Sequence, residues 1–462
     1  MIILHDMSNK PGIPKGTRDF DSIQLYKRNY IIEIIKDSFL RFGFNPIETP
    51  SFERSSTLLG KYGDEGDRLI FKILKSGDFL KDLDKNEIIN DNSSKIGSKI
   101  SDKALRYDLT VPFARYVVQN QNNITLPYKR FQIQPVWRAD RPQRGRFREF
   151  LQCDADVIGS KSLFQEIEFI QLFDNVFNSL GLKEAKIKLN SRKILIGLSE
   201  ITDCKDKFKD LTIALDKIDK IGLKAVNDEL KSKGFSDKSV EIMTDLISFS
   251  GDFKNSMKLL RKTFKNSPTG LEGISDLEFI FSSIETLGLR SCALSFDLGL
   301  ARGIDYYTGV IFEVSAPETV TIGSIAGGGR YDNLTERFGL SNMSGIGVSF
   351  GLDRIYMVLD ELDLFPNVNS NLVKVLFLNF GNENSLFSLE AINKLRDSNV
   401  YAELYPDNLS LKKQLSYANK NKIPFVVFIG DDELKAKKFN LKDMNSGSQE
   451  LLTITQLLKK LS

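Results

Sequence analysis

Histidine is almost absent from this sequence, and its scarcity removes several enzyme classes. The chain of 462 residues contains one histidine, His5, which stands beside the start. A Ser/His/Asp triad and a zinc site built on histidines both need this residue type among other catalytic groups. Because His5 stands beside the start of the chain and has no second histidine to pair with, the sequence excludes both arrangements and argues against a histidine general base.

Cysteine and long apolar runs are also scarce. Cys153, Cys204 and Cys292 lie far apart and form no CxxC pair, so neither a disulfide framework nor a zinc site is indicated. No uninterrupted stretch of about 18 apolar residues occurs, and the N-terminus lacks the apolar core of a secretory signal. We therefore expect a cytoplasmic protein without membrane association.

An excess of charge of one sign is missing as well. The 64 Lys and Arg residues against 61 Asp and Glu leave a net charge of +3, which is too small to steer the whole molecule onto a polyanion. Any such site must be local. The hydrophobic fraction of 41% and the charged fraction of 27% are those of an ordinary globular protein, and its length suggests several domains.

Hydrophobic spacing indicates helices and strands in mixed order. Apolar residues recur three and four apart over residues 23–42 and 160–180, which predicts two amphipathic helices. Between them, two strand-like runs flank DRPQRGR and predict a β-hairpin. The polar stretch over about 82–103 is expected to be a loop, and residues about 191–290 have helical character and are interpreted as an inserted helical module.

The C-terminal part has a different pattern. Residues 361–372 have the composition of a linker. Beyond residue 373, strand-like runs alternate with helical segments, which predicts an α/β domain with a parallel sheet. The fold class predicted for the chain is α/β.

The hairpin is the most informative local feature because five arginines crowd into residues 138–148. A solvated basic hairpin is the simplest interpretation of such a charge run. However, guanidinium groups suit phosphate oxygens, whereas amide and carboxylate groups suit an amine or a ring N–H, so a nucleotide beside a small polar cation is the alternative. The two-residue period of a strand places the following side chains on one face: Arg146, Arg148, Phe150, Gln152, Asp154 and Asp156.

Three further segments could contribute to a binding site. Asp108 and Thr110 lie two residues apart, where a carboxylate and a hydroxyl can jointly hold an ammonium group; a strand edge before a helix is the competing interpretation. LARGIDYYTG combines an arginine, a carboxylate and two tyrosines, and IAGGGRYDNL offers a flexible backbone that can approach a ligand closely. Arg354 follows a Gly-rich strand at a helix start. Neither a GxGxxG fingerprint after a first strand nor a P-loop is present.

Taken in order, these segments resemble the class II aminoacyl-tRNA synthetases over nearly the whole chain. FNPIETPSFE, the hairpin and GIGVSFGLDRIYMVL resemble the three motifs of that class. LARGIDYYTGVIFEV and IAGGGRYDNL, together with KGTRDF near the start, resemble segments specific to the histidyl-tRNA synthetase family. The resemblance implies a catalytic domain over residues 1–365, with an antiparallel sheet flanked by helices and the helical insertion, and an α/β anticodon-binding domain over residues 373–462.

The resemblance also implies an amino-acid pocket. Asp108 and Thr110 would hold the α-amino group, Gln152 would line the pocket, and Asp156 and Tyr307 would address the imidazole. Both aspartates stand where many family members carry glutamate, which has a longer reach. The histidine-binding set implied by the resemblance is Asp108, Thr110, Arg138, Gln152, Asp156, Arg302, Tyr306 and Tyr307.

Four arginines are implied to handle ATP and the reaction. Arg138 would contact the α-phosphate and the substrate carboxylate, with Arg302 opposite as the second catalytic arginine. Arg146 would contact the triphosphate, and Arg354 its γ-phosphate end. The implied reaction joins L-histidine to tRNA(His) through a histidyl-adenylate, with Mg²⁺ accompanying ATP and no metal ligand assigned in the protein. Members of the family are homodimers, so this chain is expected to form one.

Two other functions share this fold. The regulatory subunit of ATP phosphoribosyltransferase typically lacks the C-terminal domain and the arginine of the RGxDYY segment, and this sequence has both. A module that senses uncharged tRNA without catalysis is the second alternative, and the intact Arg138, Arg302 and Arg354 argue against it.

Overall fold

The computed structural model describes residues 11–81, 83–84, 93–249, 251–301, 306–366 and 372–462. The strands, in chain order, are β1 Asn45–Pro46, β2 Phe52–Arg54, β3 Lys72–Ile73, β4 Lys103–Leu105, β5 Tyr128–Trp137, β6 Glu149–Ile158, β7 Ala185–Ser191, β8 Cys292–Phe296, β9 Val310–Ser315, β10 Ala326–Arg330, β11 Gly345–Gly351, β12 Val375–Phe377, β13 Ala402–Leu404, β14 Phe425–Phe428, β15 Phe439–Asp443 and β16 Gln449–Leu452.

Helices account for most of the remaining regular structure. Two short 3₁₀ turns, Lys205–Lys207 and Thr335–Phe338, accompany them. The α-helices are α1 Ser22–Arg41, α2 Ser55–Leu58, α3 Gly63–Arg68, α4 Ser93–Ile100, α5 Thr110–Gln119, α6 Phe164–Ser179, α7 Arg192–Ile201, α8 Phe208–Leu215, α9 Ile218–Ser232, α10 Asp237–Ser248, α11 Phe253–Thr263, α12 Pro268–Leu287, α13 Leu352–Glu361, α14 Asn382–Asp397, α15 Leu411–Lys420, α16 Asp431–Ala436 and α17 Ile454–Leu461.

The chain divides into two compact units. The first comprises the residues up to Phe20 together with Lys27–Phe365, and the second comprises Asp21–Tyr26 and Pro366–Ser462. Within the described ranges, no helix combines the length and the apolar composition that a membrane crossing requires.

An eight-stranded sheet organises the first unit, in the order β1-β5-β6-β11-β10-β9-β7-β8. All neighbours are antiparallel except β1 with β5 and β7 with β8 at the two edges. The predicted hairpin is β5 and β6, and Arg130 lies opposite Asp156 and Trp137 opposite Glu149. The hairpin is therefore centred on Gln143, the middle of the predicted turn.

Side chains of β6 alternate between a helix-covered core and the opposite face of the sheet. Cys153, Ala155 and Val157 are buried in a core shared with the predicted helices α1 and α6 and with α13. The periods of three and four in α1 bring Ile31, Ile35 and Phe39 onto its buried side; this helix and α6 confirm the predicted ones. Gln152, Asp154 and Asp156 face the other way.

The predicted helical segment is confirmed by α7–α12, which connect the parallel neighbours β7 and β8. A parallel connection needs a crossover, and here the crossover is the helical module. In contrast, the loop expected over about 82–103 is wrong for its second half, because α4 and the start of β4 lie there. Ile96 and Ile100, four residues apart, are both half-buried, so one apolar stripe stabilises a short helix within a polar sequence.

The second unit has a five-stranded sheet in the order β13-β12-β14-β15-β16. The predicted parallel pairing holds for β13, β12 and β14. The expectation of a parallel sheet is wrong for the other two pairings, because β14 with β15 and β15 with β16 are antiparallel. For β15 and β16 the connection, residues 444–448, is too short for anything except a hairpin. This mixed sheet with its helices agrees with the predicted α/β class.

Candidate active site

A cavity of about 1010 Å³ opens on the face of the large sheet that carries Gln152 and Asp156. Every predicted site residue that the structure describes lines it. Arg302 belongs to the segment 302–305, which lies outside the described residues. The predicted residues at the cavity wall are Asp108, Thr110, Arg138, Arg146, Gln152, Asp156, Tyr306, Tyr307 and Arg354.

The carboxyl group of Asp108 is held by three donors just before helix α5. Its Oδ1 accepts hydrogen bonds from the Tyr62 hydroxyl at 2.8 Å and from the Val111 backbone N–H at 3.1 Å. The Tyr306 hydroxyl donates to Oδ2 at 3.4 Å. Burial raises the pKa of Asp108, and these donors oppose that rise. Thr110 begins the helix beside it, so a carboxylate and a hydroxyl lie together as the sequence pattern predicted.

Asp156 forms a fully buried ion pair with Arg130, its cross-strand partner in the hairpin. Arg130 Nη2 lies 2.7 Å from Asp156 Oδ2, and the Tyr331 hydroxyl donates to Oδ1 at 2.5 Å. Burial raises the pKa of Asp156, while the guanidinium of Arg130 acts against the rise. Gly347 is required opposite, because a Cβ there would lie 2.0 Å from Asp156 Oδ1.

Arg138 and Arg354 are held in fixed orientations by backbone carbonyls. Arg138 Nε donates to the Tyr107 carbonyl at 3.0 Å, and its guanidinium carbon lies 4.3 Å from the centre of the Tyr107 ring. Arg354 donates to the carbonyls of Ser324 at 2.6 Å and Gly145 at 3.2 Å. Each arginine therefore presents its charge at the cavity wall in a defined orientation, as anion recognition requires.

The remaining hairpin arginines have different surroundings. Arg146 is exposed at the cavity. Arg148, which the strand period placed on the cavity face, instead donates to the Asp140 carbonyl at 3.2 Å and the Lys15 carbonyl at 3.5 Å. Phe147, which strict alternation would place on the opposite face, lines the cavity. Both residues precede β6, so the strict alternation of a strand does not apply to them.

The N-terminal KGTRDF segment is tied to the helix that carries Arg354. Asp353 accepts from Arg18 at 2.6 Å and forms a second, buried ion pair with Arg28 of α1. The Arg18 guanidinium carbon also lies 3.2 Å from the centre of the Phe147 ring. These contacts connect α1, the hairpin turn and the start of α13 at the cavity wall.

The Gly-rich segment is a strand and not a flexible loop. Ala326–Arg330 forms β10, between β9 and β11. A Cβ at Gly328 would lie 2.1 Å from the Gly347 carbonyl oxygen, and one at Gly329 would lie 2.9 Å from Tyr307 Cδ1. The two glycines therefore allow the neighbouring strand and the Tyr307 ring to approach the backbone of β10 closely.

Sequence reasoning missed three residues that hold the acids of this site: Tyr62, Arg130 and Tyr331. A usable signal existed for Arg130, because a hairpin centred on Gln143 pairs residue 130 with residue 156. No comparable signal existed for Tyr62 and Tyr331, which come from distant segments and reach Asp108 and Asp156 only in the folded chain. Among the described residues, no group of three His, Cys, Asp or Glu side chains could hold a metal ion.

Comparisons with known proteins agree over the full length. A family profile described as histidyl-tRNA synthetase matches residues 98–355, and one described as anticodon binding domain matches residues 373–462. The chain is 57% identical over 451 residues to the histidine–tRNA ligase of Christiangramia forsetii, covering 98% of this chain and 99% of that one. It is 53% identical over 473 residues to the histidine–tRNA ligase of Flavobacterium johnsoniae, covering 98% and 100%.

Solved structures show the same fold. The crystal structure of histidyl-tRNA synthetase from Nostoc sp. PCC 7120 matches with a TM-score of 0.78 at 28% identity, covering 97% of this chain and 98% of that one. A structure from Bacillus halodurans, described as an ATP phosphoribosyltransferase regulatory subunit/histidyl-tRNA synthetase, matches with a TM-score of 0.71 at 21% identity, covering 91% and 99%. The second likeness concerns the fold alone.

Proposed function

The chain belongs to the histidyl-tRNA synthetase family, and we propose that it ligates L-histidine to tRNA(His) through a histidyl-adenylate. One observation carries the proposal: a single cavity joins buried carboxyl groups, Asp108 and Asp156, to the oriented guanidinium groups of Arg138 and Arg354. The acids suit the ammonium and ring N–H groups of histidine, and the arginines suit the phosphates of ATP.

In the first step the histidine carboxylate attacks the α-phosphate of ATP in line, and pyrophosphate leaves. Both reactants are anionic, so their approach requires cations on either side. Arg138 would contact both groups, Arg302 would act opposite, and Arg146 and Arg354 would bind the triphosphate. No protein nucleophile is needed, which suits a chain with a single histidine.

The amino acid would be held by groups at the buried end of the cavity. Asp108 and Thr110 would bind the α-ammonium beside Gln152. Asp156 and Tyr307, with Tyr306 adjacent, would select the imidazole. Mg²⁺ would enter with ATP as part of the substrate, with phosphate oxygens and water as ligands.

In the second step the terminal ribose hydroxyl of the tRNA attacks the adenylate carbonyl. Residues 1–365 would form the catalytic domain, and residues 373–462 would read the anticodon, in line with the profile matched there. The homodimer and the cytoplasmic location expected from the sequence belong to the same proposal. The two non-catalytic alternatives have less support, because the two relatives named above, matched over 99% and 100% of their length, are histidine–tRNA ligases.

The test is ATP–pyrophosphate exchange by the purified protein. We expect exchange that depends on L-histidine and Mg²⁺, followed by charging of tRNA(His). Exchange stimulated equally by other amino acids would contradict the assignment. No exchange in a folded preparation would favour a regulatory or tRNA-sensing role.

A further inference from the structure

Asp154 is a buried acid of the cavity wall to which the family resemblance gives no role. It lies on β6 between Gln152 and Asp156, with Gln132 of β5 and Ser349 of β11 as its cross-strand neighbours. The residue is 2% exposed and lines the cavity. Because Gln152, Asp154 and Asp156 alternate with core residues, all three side chains point to the cavity side of the sheet.

The carboxyl group of Asp154 has an acceptor that the described protein does not use. Its Oδ1 is buried and accepts no hydrogen bond from any described residue, and the same holds for Gln152 Oε1. Gln152 Nε2 donates to the Ser349 hydroxyl at 3.1 Å, and that hydroxyl also interacts with Asp154. Buried acceptors left without a donor cost free energy, so two of them on the cavity face of one strand indicate a guest that donates.

The other two acids of the cavity already have partners. Asp108 Oδ1 accepts from Tyr62 and Val111, and Asp156 is engaged by Tyr331 and Arg130. An ammonium group carries three donors, more than the Oδ2 of Asp108 and a threonine hydroxyl accept well together. The guanidinium of Arg130 stabilises a charge on Asp154, whereas Asp156 and Asp108 oppose one. Three carboxyl groups thus share one buried guanidinium, and an ammonium group beside them would relieve their remaining repulsion.

We propose that Asp154 is a third substrate-binding carboxylate, whose Oδ1 accepts a hydrogen bond from the α-ammonium of bound histidine next to Gln152 Oε1. This assignment rests on the proposed function. It adds a residue that contributes to the affinity of the protein for histidine. Asp156 and Tyr307 keep the imidazole, and Asp154 acts on the group common to all amino acids.

The first measurement is steady-state exchange by Asp154→Asn, which keeps the shape of the side chain and removes its charge. We expect the KM for histidine to rise about ten- to hundredfold, the range of a hydrogen bond to a charged group, with the KM for ATP unchanged. Asp245→Asn, the same change at an exposed position of α10, is the matched control. Asp154→Ala gives a second variant that lacks any acceptor.

The second measurement assigns the contacted group, using inhibition constants of two histidine analogues. Histidinol keeps the ammonium group, whereas 3-(imidazol-4-yl)propionate lacks it and keeps the ring. We expect Asp154→Asn to raise the inhibition constant of histidinol and to leave that of the propionate unchanged. Equal weakening of both would assign Asp154 to the ring, and no weakening of either would show that it does not bind substrate; each overturns the proposal. A wild-type protein without histidine-dependent exchange would instead refute the proposed function.

Discussion

The two larger sheets of the molecule bury different chemistry. On the cavity side of the large sheet, β5 and β6 bury Arg130, Gln132, Asp154 and Asp156. In the C-terminal sheet, the interior strand β12 is buried and wholly apolar, with Val375 and Phe377 in one cluster and Leu376 in another. A sheet with apolar packing on both faces leaves no room for a ligand. A sheet with helices on one face can use the other for binding.

The polar face of the large sheet contains buried atoms that lack hydrogen-bond partners within the described part of the chain, and these atoms reduce the stability of the fold. Arg130 Nε and Nη1, Gln132 Oε1, Gln152 Oε1 and Asp154 Oδ1 are buried without a hydrogen-bond partner among the described residues. In the described part of the second unit, only Ser385 Oγ is in that situation. Unpaired buried polar atoms destabilise a fold, so the catalytic region gives up stability that the C-terminal unit retains. Four predictions test this contrast.

The largest effect is expected when the two regions are separated. Ending the chain after Phe365 removes a unit with its own apolar core, and a domain of about 90 residues can fold alone. We expect histidine-dependent exchange to continue while tRNA charging falls to near background at low tRNA concentration. The measurement compares exchange and tRNA charging in the same preparation of the shortened protein. Equal loss of both in a folded protein would show that the C-terminal unit supports the active site.

Breaking the buried ion pair should cost the most stability. Arg130→Met leaves Asp156 as an uncompensated buried charge, which destabilises by about 3–5 kcal/mol. Urea unfolding of the purified variant measures this loss. The double variant Arg130→Met/Asp156→Asn removes both charges and should be the more stable of the two. A double variant no better than the single one would mean that the pair contributes through packing alone.

Removing a cavity arginine should reduce catalysis without affecting the fold. We expect Arg138→Ala to lower the exchange rate about 10²- to 10³-fold, by analogy with the loss of one oriented donor at a developing charge. Arg144→Ala is the control, because this arginine of the same hairpin is exposed and pairs with Glu361 at 2.6 Å. An Arg138→Ala rate within about threefold of wild type would exclude a role in adenylation.

The smallest effect concerns stability and pH. Burial raises the pKa of Asp154 from 3.8 to about 7, with Asp156 adding to the rise and Arg130 opposing it. An acid whose pKa is higher in the folded state than in the unfolded state stabilises the folded state below its ordinary pKa. This contribution to the free energy of unfolding is lost as pH rises through about 7. Asp154→Asn lacks that loss. The stability of the variant relative to wild type should therefore increase by about 1–3 kcal/mol between about pH 5 and pH 8, measured as a rising difference between the two melting temperatures. A pH-independent difference would contradict the shift.

Local patterns in the sequence were sufficient for much of this structure. Apolar spacing predicted α1, α6 and the helical module, and the turn residues around Gln143 predicted the hairpin. Every residue that the motif resemblance assigned and that the structure describes lines the cavity. These features depend on residues close together in the sequence, or on short motifs whose residue types are fixed by the groups that they bind. The C-terminal strands β12 and β14, which are continuous apolar runs, are the clearest case.

Only the tertiary structure decided how the cavity acids are held. Tyr62 reaches Asp108 from 46 residues away, and Tyr331 reaches Asp156 from 175 residues away. Periodicity assigns a side chain to a face, but it carries no information about which distant segment meets that face. The free acceptor of Asp154 follows from the same limit: the sequence by itself determined that the acid points into the cavity, whereas the packing of β5, β6 and β11 decided that Oδ1 receives no hydrogen bond from a described residue.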